Sequence, residues 1–261
     1  MTLTAGLCSV TYRALPPERV VALAADAGLA HIEWGQDVHV PFGDEGRAHR
    51  VGEATRAAGL SVSALGSYYR AGAIPDPGDD ERVWRRVVAA AHALGAPRIR
   101  VWAGTLSSAA ASPAARRRTI DALERCAATA APLTVATEFH SGTLTDTAAS
   151  ARAMLDAVPA LRTYWQPPNG VPDPEALDGL RAVLDRVDAV HAFSWWPTPG
   201  DRHPLDHRAA LWRDVARILA ATGRPMSVSL EFVPGDDPAV LPAEAASLRR
   251  HLDSAAGETA Q

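Results

Sequence analysis

The chain contains no lysine; every basic residue is an arginine, and 26 basic against 30 acidic residues leave a formal charge of −4. A mildly acidic protein lacks the basic face that phosphate-backbone binding needs, so no nucleic-acid partner is expected. Cysteine is nearly absent. Cys8 and Cys126 are the two present, too few for a disulfide framework or a thiolate-rich zinc site. No apolar run approaches the ~20 residues of a membrane helix, so no membrane partner is expected. Met1–Leu7 has no positive region followed by an apolar one, which gives no sign of a secretory signal. These absences together lead us to expect a cytoplasmic protein. Also missing is a glycine-rich phosphate loop after the first strand, where Ser9-Val-Thr-Tyr-Arg-Ala14 stands instead. That argues against a doubly wound nucleotide-binding sheet.

A hydrophobic fraction of 47% suffices for a full core. Strand-like segments alternate with helical ones along the whole chain. Strands are expected at Leu3–Val10, His31–Trp34, Ser61–Ser67, Arg98–Trp102, Leu133–His140, Thr163–Gln166, Ala189–Ser194 and Met226–Phe232. Pro16-Pro17, Asp79-Asp80, Ser112-Pro113, Asp146 and Asp173-Pro174 read as helix starts. Gly28, Gly59 and Gly223 stand where a helix closes in the left-handed conformation. Eight strand–helix units predict a single-domain (β/α)8 TIM barrel over residues 1–261, with 254–261 as a frayed tail. Trp84 and Trp212 read as packing residues of amphipathic helices.

Active sites of such barrels form at the C-terminal ends of the strands. Side chains alternate along a strand, so Ala136, Glu138 and His140 should face the axis on the fifth strand. His191 should do so on the seventh, and Ser229 and Glu231 on the eighth. Glu138, Gln166, His191 and Glu231 then converge. Two carboxylates, an imidazole and an amide oxygen suit Mn²⁺, Mg²⁺ or Co²⁺, with zinc behind them, and leave positions open for a substrate. The blander reading is that Glu138 and Glu231 are buried charges in ion pairs, for example with Arg100. Glu33 reads equally as a salt-bridge partner or a site residue.

The segments His31-Ile-Glu-Trp-Gly-Gln-Asp-Val-His-Val-Pro41, Glu138-Phe-His140, Tyr164-Trp-Gln166, Val190-His191 and Leu230-Glu231-Phe232 resemble the xylose isomerase-like TIM barrel superfamily in order and spacing. That superfamily holds sugar isomerases, epimerases, dehydratases and AP endonucleases. The resemblance implies that Glu138, Gln166, His191 and Glu231 hold one divalent ion. The family usually has Asp where this chain has Gln166. It further implies a metal-dependent isomerase or epimerase of a free or conjugated sugar or polyol, acting through an enediolate. Glu138 and Glu231 would be its acid and base. Trp34, His39, Tyr68, Trp102, His140, Trp165, Trp195, Arg202 and His203 are the expected substrate contacts, with His140 more a supporting group than a ligand. Homodimers or homotetramers are common in the family.

Three alternatives stand beside this reading. A lyase of the same superfamily would eliminate water or an aglycone after enolisation. An AP-endonuclease-like phosphodiesterase would use Asp201 and His203 for further zinc ions, but the net charge and Gln166 argue against it. A degenerate barrel would bind a sugar without an ion.

Overall fold

The computed structural model describes residues 3–258. Eight parallel strands close into a barrel: β1 (Leu3–Cys8), β2 (His31–Gly35), β3 (Ser61–Arg70), β4 (Arg98–Trp102), β5 (Thr134–Thr137), β6 (Arg162–Trp165), β7 (Val187–Ala192) and β10 (Met226–Leu230). β10 closes the ring by pairing with both β7 and β1, in register Ser229–His191 and Gly6–Ser229. The remaining two strands, β8 (Ser194–Trp195) and β9 (Arg202–His203), make a small antiparallel hairpin inside the loop after β7. Around the barrel lie α1 (Pro17–Asp26), α2 (Glu45–Ala57), α3 (Pro77–Leu94), α4 (Pro113–Ala130), α5 (Ala148–Ala157), α6 (Asp173–Val183), α7 (Ala209–Ala220) and α8 (Leu241–Glu258). No described helix is long and apolar enough to cross a membrane.

The strands' outward residues, such as Ile32, Leu65, Ile99, Val135, Val190 and Leu230, are fully or almost fully buried against the helices in one continuous core. Gly28, Gly59 and Gly223 adopt φ of +67°, +77° and +75°, the left-handed helix ends that the sequence predicts. Two expected caps are displaced. α3 is capped by Asp76, whose side chain accepts from the Asp79 amide. Asp80 is instead buried and accepts from the Tyr69 hydroxyl at 2.7 Å. α5 is capped by Thr147, not Asp146, whose carboxylate accepts from the Ser108 amide. Residues 254–258, expected as part of a frayed tail, continue α8, because Ala255 is buried in the core; 259–261 lie outside the described residues.

The barrel interior is polar in layers. At the bottom, His31 is buried, with Nε2 3.0 Å from Ser229 Oγ and Nδ1 3.3 Å from Thr4 Oγ1. Gly6 makes room for that ring: a Cβ there would lie 2.1 Å from His31 Nε2. Burial, opposed by Glu33 and reinforced by Arg98, holds the His31 pKa down to about 4, so the ring stays neutral. Above it, Arg98 donates to Asp188 at 2.5 Å, and a small apolar patch of Ala64, Ala136, Tyr164 and Ala189 fills the axis.

Candidate active site

The top layer is built from groups that leave the strands just as regular pairing ends. β5 stops at Thr137, yet the Glu138 amide still donates to Val101 O at 3.0 Å. β10 stops at Leu230, and the Glu231 amide donates to Ala192 O at 3.1 Å. Each carboxylate is therefore anchored by backbone one residue beyond its strand. Both point inward, as the strand alternation predicts. Glu138 is 2% exposed, Glu231 8% and His191 0%, so whatever these groups bind is held in a desolvated place.

His191 Nδ1 lies 3.1 Å from Gln166 Oε1, 3.5 Å from Glu231 Oε2 and 3.9 Å from Glu138 Oε1. One ligand atom each from Glu138, His191 and Glu231 fits within 4.8 Å of the others. The four residues expected to meet are thus in one cluster. Every atom facing Nδ1 is an electron-pair donor, so the centre needs either a proton on the imidazole or a cation between the groups. The oxygen-rich donor set, with one imidazole, fits a hard or borderline divalent ion.

Arg100 is the second cation of the layer. Its Nε donates to Glu33 Oε1 at 2.7 Å, and its Nη1 donates to Glu138 Oε2. The Trp102 indole N–H donates to the same Glu138 oxygen. The ion pair that the sequence offered as the blander reading of Glu138 therefore exists, alongside the metal-type cluster rather than in place of it. Glu231 differs. Among the described residues, its carboxylate meets no donor nearer than His191 Nδ1. Burial raises its pKa, and repulsion from Glu138 and Glu33 adds to this, against the pull of His191 and Arg100. Burial lowers the His191 pKa, but the Glu231 and Glu33 carboxylates outweigh it and raise the value well above normal. Burial pushes the Cys8 thiol up to about 12, so it offers no thiolate.

Arg100, Glu138, Gln166 and Glu231 form the floor of a cavity of about 500 Å³. Its walls are aromatic. Trp102 stands between Tyr68 (5.4 Å between centroids) and His140 (5.2 Å), with the Arg70 guanidinium 3.9 Å over its ring. Opposite, Trp195 packs on Phe193 and Phe232. Phe232 adopts φ +59°, an uncommon conformation for a bulky residue, pinned by its amide donating to Thr11 Oγ1 at 2.9 Å. Of the expected substrate contacts, Tyr68, Trp102, His140 and Trp195 line the cavity. Arg202 sits at its rim, 4.2 Å over Phe232 and 4.9 Å over Trp195, paired with Asp236 at 3.0 Å.

The other four are placed elsewhere. Trp34 is 0% exposed and points out of the barrel, donating to Thr55 Oγ1 on α2. Trp165 is likewise outward in the core, and its neighbour Tyr164 faces His191 instead, at 4.9 Å. His39 is buried between Ser9 Oγ and Leu15 O, each at 3.0 Å. His203 contacts Trp196 O and stacks on His207, while Asp201 turns to Thr198. Asp201 and His203 therefore form no further metal site with the central cluster. Sequence reading missed Phe139, Asn169, Phe232 and Arg13 among the cavity-lining residues. Arg13 pairs with Asp37 at 2.6 Å and donates to the Tyr68 hydroxyl. Only Phe139 and Phe232 carried a signal, as neighbours of Glu138 and Glu231.

A family model described as xylose isomerase-like TIM barrel matches residues 21–251. Several solved structures share the fold. The probable 3-DHS dehydratase AsbF of Bacillus anthracis, involved in petrobactin synthesis, is 17% identical, with a TM-score of 0.79 over 95% of this chain and 99% of its own. A xylose isomerase domain protein from Planctomyces limnophilus is 17% identical (TM-score 0.71, 92% and 93% covered). A D-psicose 3-epimerase, solved in the presence of D-fructose, is 12% identical (TM-score 0.67, 96% and 97% covered). No curated protein matches the chain by sequence.

Proposed function

Because the chain belongs to the xylose isomerase-like TIM barrel family, we propose that it is a divalent-metal-dependent isomerase of a sugar or polyol-like carbonyl compound, in which Glu231 carries the proton. Glu138, Gln166, His191 and Glu231 would hold the ion, with Mn²⁺, Mg²⁺ or Co²⁺ suiting the donor set. When bound, it supplies an electrophile that polarises the substrate carbonyl.

The observation that carries the proposal is the inequality of the two glutamates. One oxygen of Glu138 is claimed by Arg100 and Trp102, so this side chain is held in place. Glu231 has no comparable donors. A carboxylate without such donors keeps lone pairs free to take and return a proton. Glu231 takes the proton next to the carbonyl from its side of the cavity and returns it to the neighbouring carbon. Arg100, in the cavity wall, adds positive potential where negative charge develops. Trp102, Trp195 and Phe232 cover the apolar faces of the substrate and exclude water. Glu138 and Glu231 as equal acid and base, the expectation for an epimerase, fit this asymmetry less well than one-base proton transfer.

The same enolising step leads to dehydration if a hydroxyl leaves from the next carbon. The fold shared with a probable dehydratase supports keeping that as the second reading. Incubation of the metal-loaded enzyme with candidate aldoses and ketoses in ²H₂O tests both. Isomerisation is expected to place deuterium at the carbon beside the carbonyl without loss of water, and Glu231→Gln to abolish the exchange. An unsaturated product would give the reaction to the dehydratase. Exchange that survives Glu231→Gln would remove Glu231 from its role.

A further inference from the structure

We propose that Glu33 and Arg100 are positioning residues beneath the metal site, and that Glu33 fixes the tautomer of His191. The inference rests on the metal-dependent reading above. Glu33 does not line the cavity; it is 3% exposed on β2, and both of its oxygens are used. Oε1 accepts from Arg100 at 2.7 Å, and Oε2 lies 3.2 Å from His191 Nε2. A carboxylate held ionised by a guanidinium only accepts hydrogen bonds, so Nε2 must carry the hydrogen. In the neutral ring, Nδ1 is then a bare lone pair. That lone pair faces Gln166 Oε1, Glu231 Oε2 and Glu138 Oε1, the atoms with which it would share the ion. With the other tautomer, the Nε2 lone pair would face the Glu33 carboxylate and Nδ1 would have no pair to donate.

Arg100 links this support to the ligands, because the same guanidinium reaches Glu33 and Glu138. β3 leaves room for the pair. A Cβ at Gly66 would lie 2.7 Å from Arg100 Nη2 and 2.9 Å from Glu33 Oε1, so a side chain there would displace the bridge. A second group of potential ligands, Cys8, Glu33 and His191, lies just below. It shares His191, its carboxylate is occupied by Arg100, and its thiol is protonated. It therefore belongs to the support and is not a second centre.

The test uses the full chain stripped of metal, titrated calorimetrically with MnCl₂, with the imidazole tautomer of His191 read from ring ¹⁵N shifts in the Mg²⁺ form. Losing such an outer partner typically costs 10–100-fold in metal affinity. Glu33→Gln is expected to weaken Mn²⁺ binding by about that factor and to mix the tautomers. Gly66→Ala, which changes no functional group, is expected to weaken binding several-fold and serves if Glu33→Gln does not fold. Wild-type affinity and a pure Nε2–H tautomer in a folded Glu33→Gln protein would overturn the proposal. A wild type that takes up neither Mn²⁺, Mg²⁺ nor Co²⁺ sinks the metal reading itself. In that case the tautomer, measured at a pH where the ring is neutral, decides the role of Glu33 alone.

Discussion

Metal uptake by this barrel should be strongly coupled to proton release. The top layer buries three carboxylates, Glu33, Glu138 and Glu231, with one guanidinium, Arg100. Two negative charges are left in excess, and excess charge is costly in a desolvated interior. Without an ion, the pKa values of His191 and Glu231 are both raised, so protons held by these two groups offset the excess. A divalent cation cancels the same excess but requires neutral His191 and ionised Glu231 as ligands. Binding should therefore release the protons that these two groups hold in the free protein, and affinity should rise with pH about tenfold per unit for each proton released. Calorimetric titration of Mn²⁺ in buffers of differing ionisation enthalpy, from pH 6 to 8, counts the protons directly. Tight binding with no proton release and no pH dependence would refute the charge argument, since the ion would then be entering a layer that was already balanced.

Two further predictions concern stability. Gly6→Ala places a methyl group 2.1 Å from His31 Nε2. Displacing the buried ring and its bond to Ser229 should cost about 2–4 kcal/mol, seen as a fall of roughly 5–12 °C in Tm. His31→Ala in the same background should recover part of it; no recovery would place the strain elsewhere. For the metal-free protein, raised folded-state pKa values at His191 and Glu231 favour folding at lower pH, and this contribution is lost as pH rises through those values. Glu33 has the opposite sign. Burial raises its pKa, but His191 and Arg100 together pull it well below normal, so its contribution is present above the ordinary 4.5 and lost as pH falls below it. Urea midpoints measured in chelator should then peak between these regimes, in mildly acidic buffer. A midpoint that climbs steadily to pH 8 would contradict the assignment for His191 and Glu231.

How far the sequence reveals this layer depends on which residues alternation and turn chemistry govern. The barrel and its helix ends are legible because strand–helix spacing and helix-terminal glycines act locally. Glu138, His191 and Glu231 are legible because each shares parity with the inward residues of its strand. Trp34 and Trp165 show the limit. Both stand at strand ends, where the sequence suggests substrate contacts, but by parity they face the helices, and aromatic character alone does not override that. The role of Glu33 depends on Arg100 and His191, at sequence separations of 67 and 158. No local pattern pairs them. Arg13 reaches the cavity through Tyr68 and Asp37, contacts that exist only after the barrel closes.

Gln166, where the family resemblance leads one to expect an aspartate, becomes intelligible once Arg100 and Glu33 are counted. The pair is close to neutral by itself, leaving Glu138 and Glu231 to balance a divalent ion. A third ligand carboxylate would over-fill the layer with negative charge, whereas the amide oxygen, 3.1 Å from His191 Nδ1, would complete the proposed ligand set without adding any. Gln166→Glu tests this because it keeps the chain length and changes only the charge. A unit charge about 4 Å from a cation is worth on the order of 4 kcal/mol per charge at an effective dielectric of 20. Repulsion from Glu138 and Glu231 removes much of that, so Mn²⁺ affinity at pH 8 should rise tenfold or more. The metal-free protein should take up a further proton to hold its balance, steepening the pH dependence of binding. If Gln166→Glu weakens Mn²⁺ binding at every pH, the amide contributes as a hydrogen-bonding group and not as a ligand, and the charge balance of the site must be drawn without it.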